Sequence, residues 1–143
     1  MTHKQLVQLA KLWLMKSKGC NPVFTEKGSA QNSEFPDAIG WESSDCLIVE
    51  CKVSVSDFHA DKNKDFRING QGLGKYRYYL IPKENLDLVK NYLPEGWGLV
   101  VADSEHSMPH QERLMGSKEF ISNIEAERNF LRSRILEIQR FGM

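Results

Sequence analysis

Three side chains in the first half of the chain have the types and spacing to act on a charged group: Asp37, Glu50 and Lys52. Glu50 and Lys52 stand one residue apart in the run Cys46-Leu47-Ile48-Val49-Glu50-Cys51-Lys52. If that run is a strand, residues two apart project from one face, roughly 7 Å apart along the chain, and Val49 and Cys51 project from the other. A carboxylate and an ammonium on a segment otherwise suited to a core require an explanation, because charges are seldom buried unless paired or bound to a metal. Upstream, Phe35-Pro36-Asp37-Ala38-Ile39-Gly40-Trp41 is a second apolar segment of strand length. Glu42-Ser43-Ser44-Asp45 between them reads as a hairpin turn with a loop of about four residues. A hairpin that brings Asp37 alongside Glu50 places two carboxylates and a lysine at one spot. Close carboxylates raise each other's pKa, and a hard divalent cation with oxygen ligands relieves that repulsion.

Pro36-Asp37 followed, after about a dozen residues, by Glu50-Cys51-Lys52 on a hydrophobic strand resembles the PD-(D/E)xK nuclease superfamily. The runs FPDAIGW, ECKVSVSDFHADKNKDFR, GLGKYRYYLIP and LPEGWGLVVAD resemble its small single-domain phage and bacterial members, some of them grouped with DNA repair. The resemblance spans most of positions 1 to 103. It implies a restriction-endonuclease-like αβββαβ core and a divalent-metal-dependent DNA endonuclease. It also implies that Asp37 and Glu50 bind Mg²⁺ or Mn²⁺, that the backbone carbonyl of Cys51 is a third ligand, and that Lys52 positions or deprotonates the attacking water. Glu26 and Glu34 are further acidic residues near the pattern, with solvated polar positions as the alternative reading.

The elements around these residues read as an α/β domain, a mixed sheet flanked by helices. Thr2 and Gln5 match a capping box, and Leu6, Leu9, Ala10, Trp13 and Leu14 recur at helical spacing, which predicts a first helix of about 16 residues. A short strand follows over Pro22 to Glu26. After Lys52, Phe58 to Arg67 reads as a short helix with Ser56 as N-cap. Lys75 to Ile81 is strongly strand-like, with Tyr76, Tyr78 and Leu80 on one face and Lys75, Arg77, Tyr79 and Ile81 on the other. Glu84 to Leu93 reads as a short helix, Trp97 to Ala102 as a buried strand, Asp103 to Ser117 as a loop, and Lys118 to Met143 as a long closing helix. All 143 residues fit one domain, with a core over about 1–103 and a C-terminal loop and helix over 104–143.

The chain carries 19 basic and 19 acidic residues, so a nucleic-acid surface has to be local. From Lys52 to Arg77 six basic residues face three acidic ones, and tyrosines lie among them. Lys62, Lys64, Arg67, Lys75, Tyr76 and Arg77 are the expected phosphate-tracking residues, with a solvated helix and sheet rim as the alternative. Cys20, Cys46 and Cys51 form no CxxC pair and read as reduced core thiols. His3, His59, His106 and His110 read as surface residues. No apolar run reaches membrane-span length and no signal peptide is evident, so a cytoplasmic protein with no membrane association is expected. DNA is the expected partner. The last helix carries a partial apolar stripe that could cover the domain's own sheet, pair with a second copy in a homodimer, or bind a host or phage protein. The rival to an enzyme is a catalytically dormant nucleic-acid-binding or protein-binding factor on the same fold.

Overall fold

A computed structural model describes residues 1–25, 35–63, 72–103 and 108–142. The first helix, α1 (His3–Leu12), opens on the expected capping box and runs into a single π turn over Trp13–Ser17. The Thr2 hydroxyl accepts from the Gln5 amide, and the Gln5 side chain accepts from the Thr2 amide. Strands β1 (Val23–Thr25), β2 (Ala38–Glu42) and β3 (Asp45–Cys51) follow, then helix α2 (Val55–Lys62) and strand β4 (Tyr76–Pro82). A single helical turn, α3 (Leu86–Val89), flanked by 3₁₀ turns, leads to β5 (Gly98–Ala102) and β6 (His110–Gln111), and α4 (Ile124–Phe141) ends the described chain.

The six strands form one mixed sheet in chain order. β1, β2 and β3 are antiparallel, β3, β4 and β5 run parallel, and β6 returns antiparallel on the edge of β5. Strand alternation divides the core in two. Ala38, Leu47, Val49, Cys51, Tyr78 and Leu80 pack against Leu6, Ala10, Trp13 and Leu14 of the first helix. Ile39, Ile48, Tyr79, Ile81, Leu99 and Val101 face the other way, toward Phe58 of α2, Val89 of α3, Trp97 and Phe130 of α4. No helix among the described residues is long and apolar enough to cross a membrane.

Several boundaries differ from the sequence-based expectation, each for a local reason. Glu42 pairs directly with Asp45, so the hairpin loop is the two residues Ser43 and Ser44, with Ser43 at a φ of 56°. Ser54, not Ser56, caps α2 by accepting from the Asp57 amide, which starts the helix three residues before Phe58. The expected 103–117 loop contributes β6, and the Glu84–Leu93 helix is broken into short turns. The final helix begins six residues later than Lys118, because the Asn123 side chain accepts from the Ala126 amide and caps it there. Phe120 is thereby left in extended chain, its ring 6.3 Å from that of Trp97 and under the Arg77 guanidinium.

Candidate active site

β2 and β3 pair with Ala38 opposite Val49, so one step further along the same register Asp37 comes opposite Glu50. Across the parallel ladder Glu50 pairs with Tyr79. Three neighbouring strands, roughly 5 Å apart, therefore present Asp37, Glu50 and Tyr79 side by side at one end of the sheet. All three belong to the face covered by α2, because alternation sets them in phase with Ile39, Ile48 and Ile81. Asp37 and Glu50 are 7% and 3% exposed, so the carboxylates are held almost out of solvent.

Asp37 is fixed by the chain that carries its partners. Its Oδ2 accepts from the Cys51 amide at 2.8 Å, and its Oδ1 lies 3.4 Å from Nε2 of His3, in the first turn of α1. His3 is half exposed and stands on the solvent side of the site. The Cys51 side chain points to the opposite core and is fully buried. Its thiol pKa is pushed up by burial and by the Asp37 and Glu50 charges, which leaves only the backbone carbonyl of Cys51 as a candidate oxygen ligand.

Lys52 continues β3, its amide donating to the Leu80 carbonyl at 3.0 Å. Its ammonium lies 3.2 Å from Oδ1 of Asp61, a 2% exposed residue on α2. The Tyr79 hydroxyl donates to the other Asp61 oxygen, so the carboxylate bridges lysine and tyrosine. Burial works against the Lys52 charge, but the carboxylates of Asp61, Glu50 and Asp37 outweigh it and raise its pKa above the ordinary lysine value. Lys52 is a held cation.

The structure thus brings Asp37, Glu50 and Lys52 to one place and adds Asp61, Tyr79 and His3. The sequence signal for Asp61 was its position three residues after Phe58, which puts both on the same helix face. Tyr79 already shared a predicted face with other β4 residues, but its neighbour Glu50 depends on the β3–β4 register, which is not a local property. His3 is exposed, as expected, and also reaches Asp37 from the first turn of α1.

Of the expected phosphate-tracking residues that are described, Lys75, Tyr76 and Arg77 do not gather around this site. Tyr76 pairs with Leu47, three residues before the Tyr79–Glu50 pair, so Lys75 and Tyr76 lie roughly 10 Å or more away along the strand, toward the other end of the sheet. There the Lys75 ammonium is 3.3 Å from Asp45 and 3.9 Å from Glu119, and the Tyr76 hydroxyl donates to Glu119. Arg77 is 1% exposed. Its guanidinium donates to the carbonyls of Gly74, Gly72 and Ile121, so it ties loops together and is not a surface for DNA. Lys62 lies over the Tyr92 ring, 5.0 Å from its centroid, on α2 close to the site. Lys64, Arg67, Glu26 and Glu34 fall outside the described residues.

Two buried carboxylates on adjoining strands, with a backbone carbonyl nearby, suit a small hard cation that keeps several of its own waters. Among the described residues no group of three or more His, Cys, Asp and Glu side chains is spaced to enclose a metal ion. A fit to Mg²⁺ or Mn²⁺ at this site therefore requires water to complete the shell.

No family model matches the chain, and no curated protein does. Among solved structures, a protein of unknown function from Silicibacter pomeroyi is similar, with a TM-score of 0.66 and 17% identity. The match covers 99% of this chain and 94% of that one, and at such identity it speaks to the fold alone.

Proposed function

We propose that the chain is a divalent-metal-dependent DNA endonuclease of the PD-(D/E)xK kind, built on a restriction-endonuclease-like core and acting in repair, recombination or phage DNA processing. The observation that carries this reading is that Asp37, just before β2, comes opposite Glu50 of β3 when their register is continued by one step, with the Lys52 ammonium close enough to feel both charges. The order α1, β1, β2, β3, α2, β4 supports the αβββαβ core.

Asp37 and Glu50 would hold Mg²⁺ or Mn²⁺, with the Cys51 carbonyl as a further oxygen. The cation, when bound, supplies a Lewis acid for the phosphoryl oxygen and lowers the pKa of water. The remaining work falls to the chain. Lys52, charged because three carboxylates surround it, offers a counter-charge to a phosphate oxygen as negative charge builds up. The Cys51 amide holds Asp37 Oδ2 in place and leaves Oδ1 beside the half-exposed His3. The low exposure of Asp37, Glu50 and Asp61 keeps these electrostatic interactions strong.

The test is incubation of supercoiled plasmid and structured oligonucleotides with the protein and Mg²⁺ or Mn²⁺. Asp37→Ala and Lys52→Ala should each slow cutting by about 100-fold or more without loss of fold. A second reading, a protein-binding factor acting on a host or phage protein or on a second copy of itself, draws on one observation. Ile135, Leu136, Ile138 and Phe141 of α4 are large apolar residues left exposed. A pull-down indifferent to Asp37→Ala but lost on Ile135→Glu would favour that reading.

A further inference from the structure

A lysine at the end of a strand is located by its backbone only as far as Cβ, since four rotatable bonds separate that point from the ammonium. What locates the Lys52 ammonium is Asp61, 3.2 Å away on α2. Asp61 is itself secured, because its second oxygen receives the hydroxyl of Tyr79, a residue with no solvent exposure. The Tyr79 ring is wedged edge-on against Phe58 at 5.0 Å and lies against Trp97 at 4.7 Å. A packed aromatic cluster therefore holds a phenol, the phenol holds a carboxylate, and the carboxylate holds the ammonium.

Packing alone does not account for this chain of contacts. A buried ion pair stabilises a fold weakly, and well-packed apolar residues of similar volume often do as well or better. α2 is capped by Ser54, two residues after Lys52, and returns Asp61 to the sheet at the point the lysine side chain reaches. The helix serves as a short brace between the two ends of the pair.

We propose that Asp61, anchored by Tyr79, is a positioning residue that holds the Lys52 ammonium beside the Asp37–Glu50 pair. What the ammonium does there rests on the nuclease reading, whereas the tether itself does not. The site then comprises Asp37, Glu50 and Lys52 with a supporting pair, Asp61 and Tyr79, drawn from α2 and β4.

Two measurements on the full chain test this separately. In protein carrying ¹⁵N-lysine, without metal or DNA, the Lys52 ammonium is identified by its absence in Lys52→Arg. The tether predicts slow proton exchange in the wild type and at least about tenfold faster exchange in Asp61→Asn, as expected when a charge-assisted hydrogen bond is lost. Tyr79→Phe, which keeps the ring packing, should give a smaller acceleration in the same direction and serves if Asp61→Asn fails to fold. Equal exchange in wild type and variants would overturn the proposal. In plasmid cleavage, Asp61→Asn should lower kcat with little change in KM. In a Lys52→Ala background it should cost less than about twofold more, because both changes remove the same interaction. Losses that multiply would show Asp61 acting independently of Lys52 and overturn the proposal. A wild type that cuts nothing would end the nuclease reading and leave the tether to be decided by ammonium exchange.

Discussion

Asp37 as a single residue makes a different contact with each oxygen: Oδ2 accepts the buried Cys51 amide and Oδ1 lies 3.4 Å from His3 Nε2. Asp37→Asn retains an acceptor for that amide, whereas Asp37→Leu leaves it unsatisfied. Urea unfolding should therefore find Asp37→Leu less stable than Asp37→Asn by about 1–3 kcal/mol, while both lose any cleavage. Equal stabilities would mean that the Asp37–Cys51 bond contributes nothing. Arg77 offers the opposite contrast. As the donor to three carbonyls it should cost about 3 kcal/mol when changed to alanine, an effect that a surface arginine reading does not predict. Asp37, Glu50 and Lys52 were legible in the sequence because strand alternation and a short hairpin are local rules. Asp61 and Tyr79 were not, because their meeting with Lys52 depends on how α2 folds back and on the β3–β4 register.

At the scale of elements, α2 is the piece whose placement matters most, and its cap decides where it starts. Ser54→Ala should destabilise by about 1 kcal/mol, as removal of a serine N-cap does. Ser56→Ala should stay within about 0.5 kcal/mol, as for an ordinary surface change. Thermal or urea unfolding of the two variants distinguishes them, and the reverse ranking would move the cap back to Ser56. The sequence offered two serines in a Ser-Val-Ser-Asp run, and propensity alone does not choose between them. α4 shows a similar limit. Its apolar stripe was visible, but its start was set by the Asn123 cap and by Phe120 being drawn beneath Arg77. Within α4 only Glu127 and Phe130 are buried. Glu127 accepts from the Gly74 amide at 2.8 Å, and the Phe130 ring lies among Phe24, Phe35 and Trp41. Phe130→Ala should cost about 3–5 kcal/mol in unfolding experiments, since a core phenylalanine leaves both lost burial and a cavity. A change under 1 kcal/mol would show that α4 is docked by something else.

At the scale of the whole molecule, the order of helices and strands in an α/β mixed sheet followed from periodicity, while the edge strand β6 did not, because two residues carry no periodic signal. The same core should make the fold sensitive to alkali. Burial, with help from Glu42, pushes the Cys20 thiol up to about 11, and burial first, with nearby charges, pushes Cys46 and Cys51 up as well. A thiol whose folded pKa is raised contributes stability that is fully present below its unfolded value of 9.0 and is lost as pH rises from there toward the folded value. Lys52 adds to the same trend at higher pH, because its raised pKa gives stability present below 10.5 and lost above it. Urea midpoints measured under reducing conditions should hold steady up to about pH 9 and fall beyond it. A midpoint unchanged between pH 8 and 10.5 would contradict the buried-thiol assignment.

The proposed nuclease function has two neighbouring carboxylates and a braced lysine forming one hydrolytic site for DNA. It is tested most directly by following supercoiled plasmid with the wild type, Asp37→Ala and Lys52→Ala in Mg²⁺ or Mn²⁺. Nicked and linear products should form with the wild type, and each substitution should slow them by about 100-fold or more, in line with the loss of a preorganised electrostatic group. A folded wild type that leaves the plasmid intact, or cutting that persists through both substitutions, would contradict it.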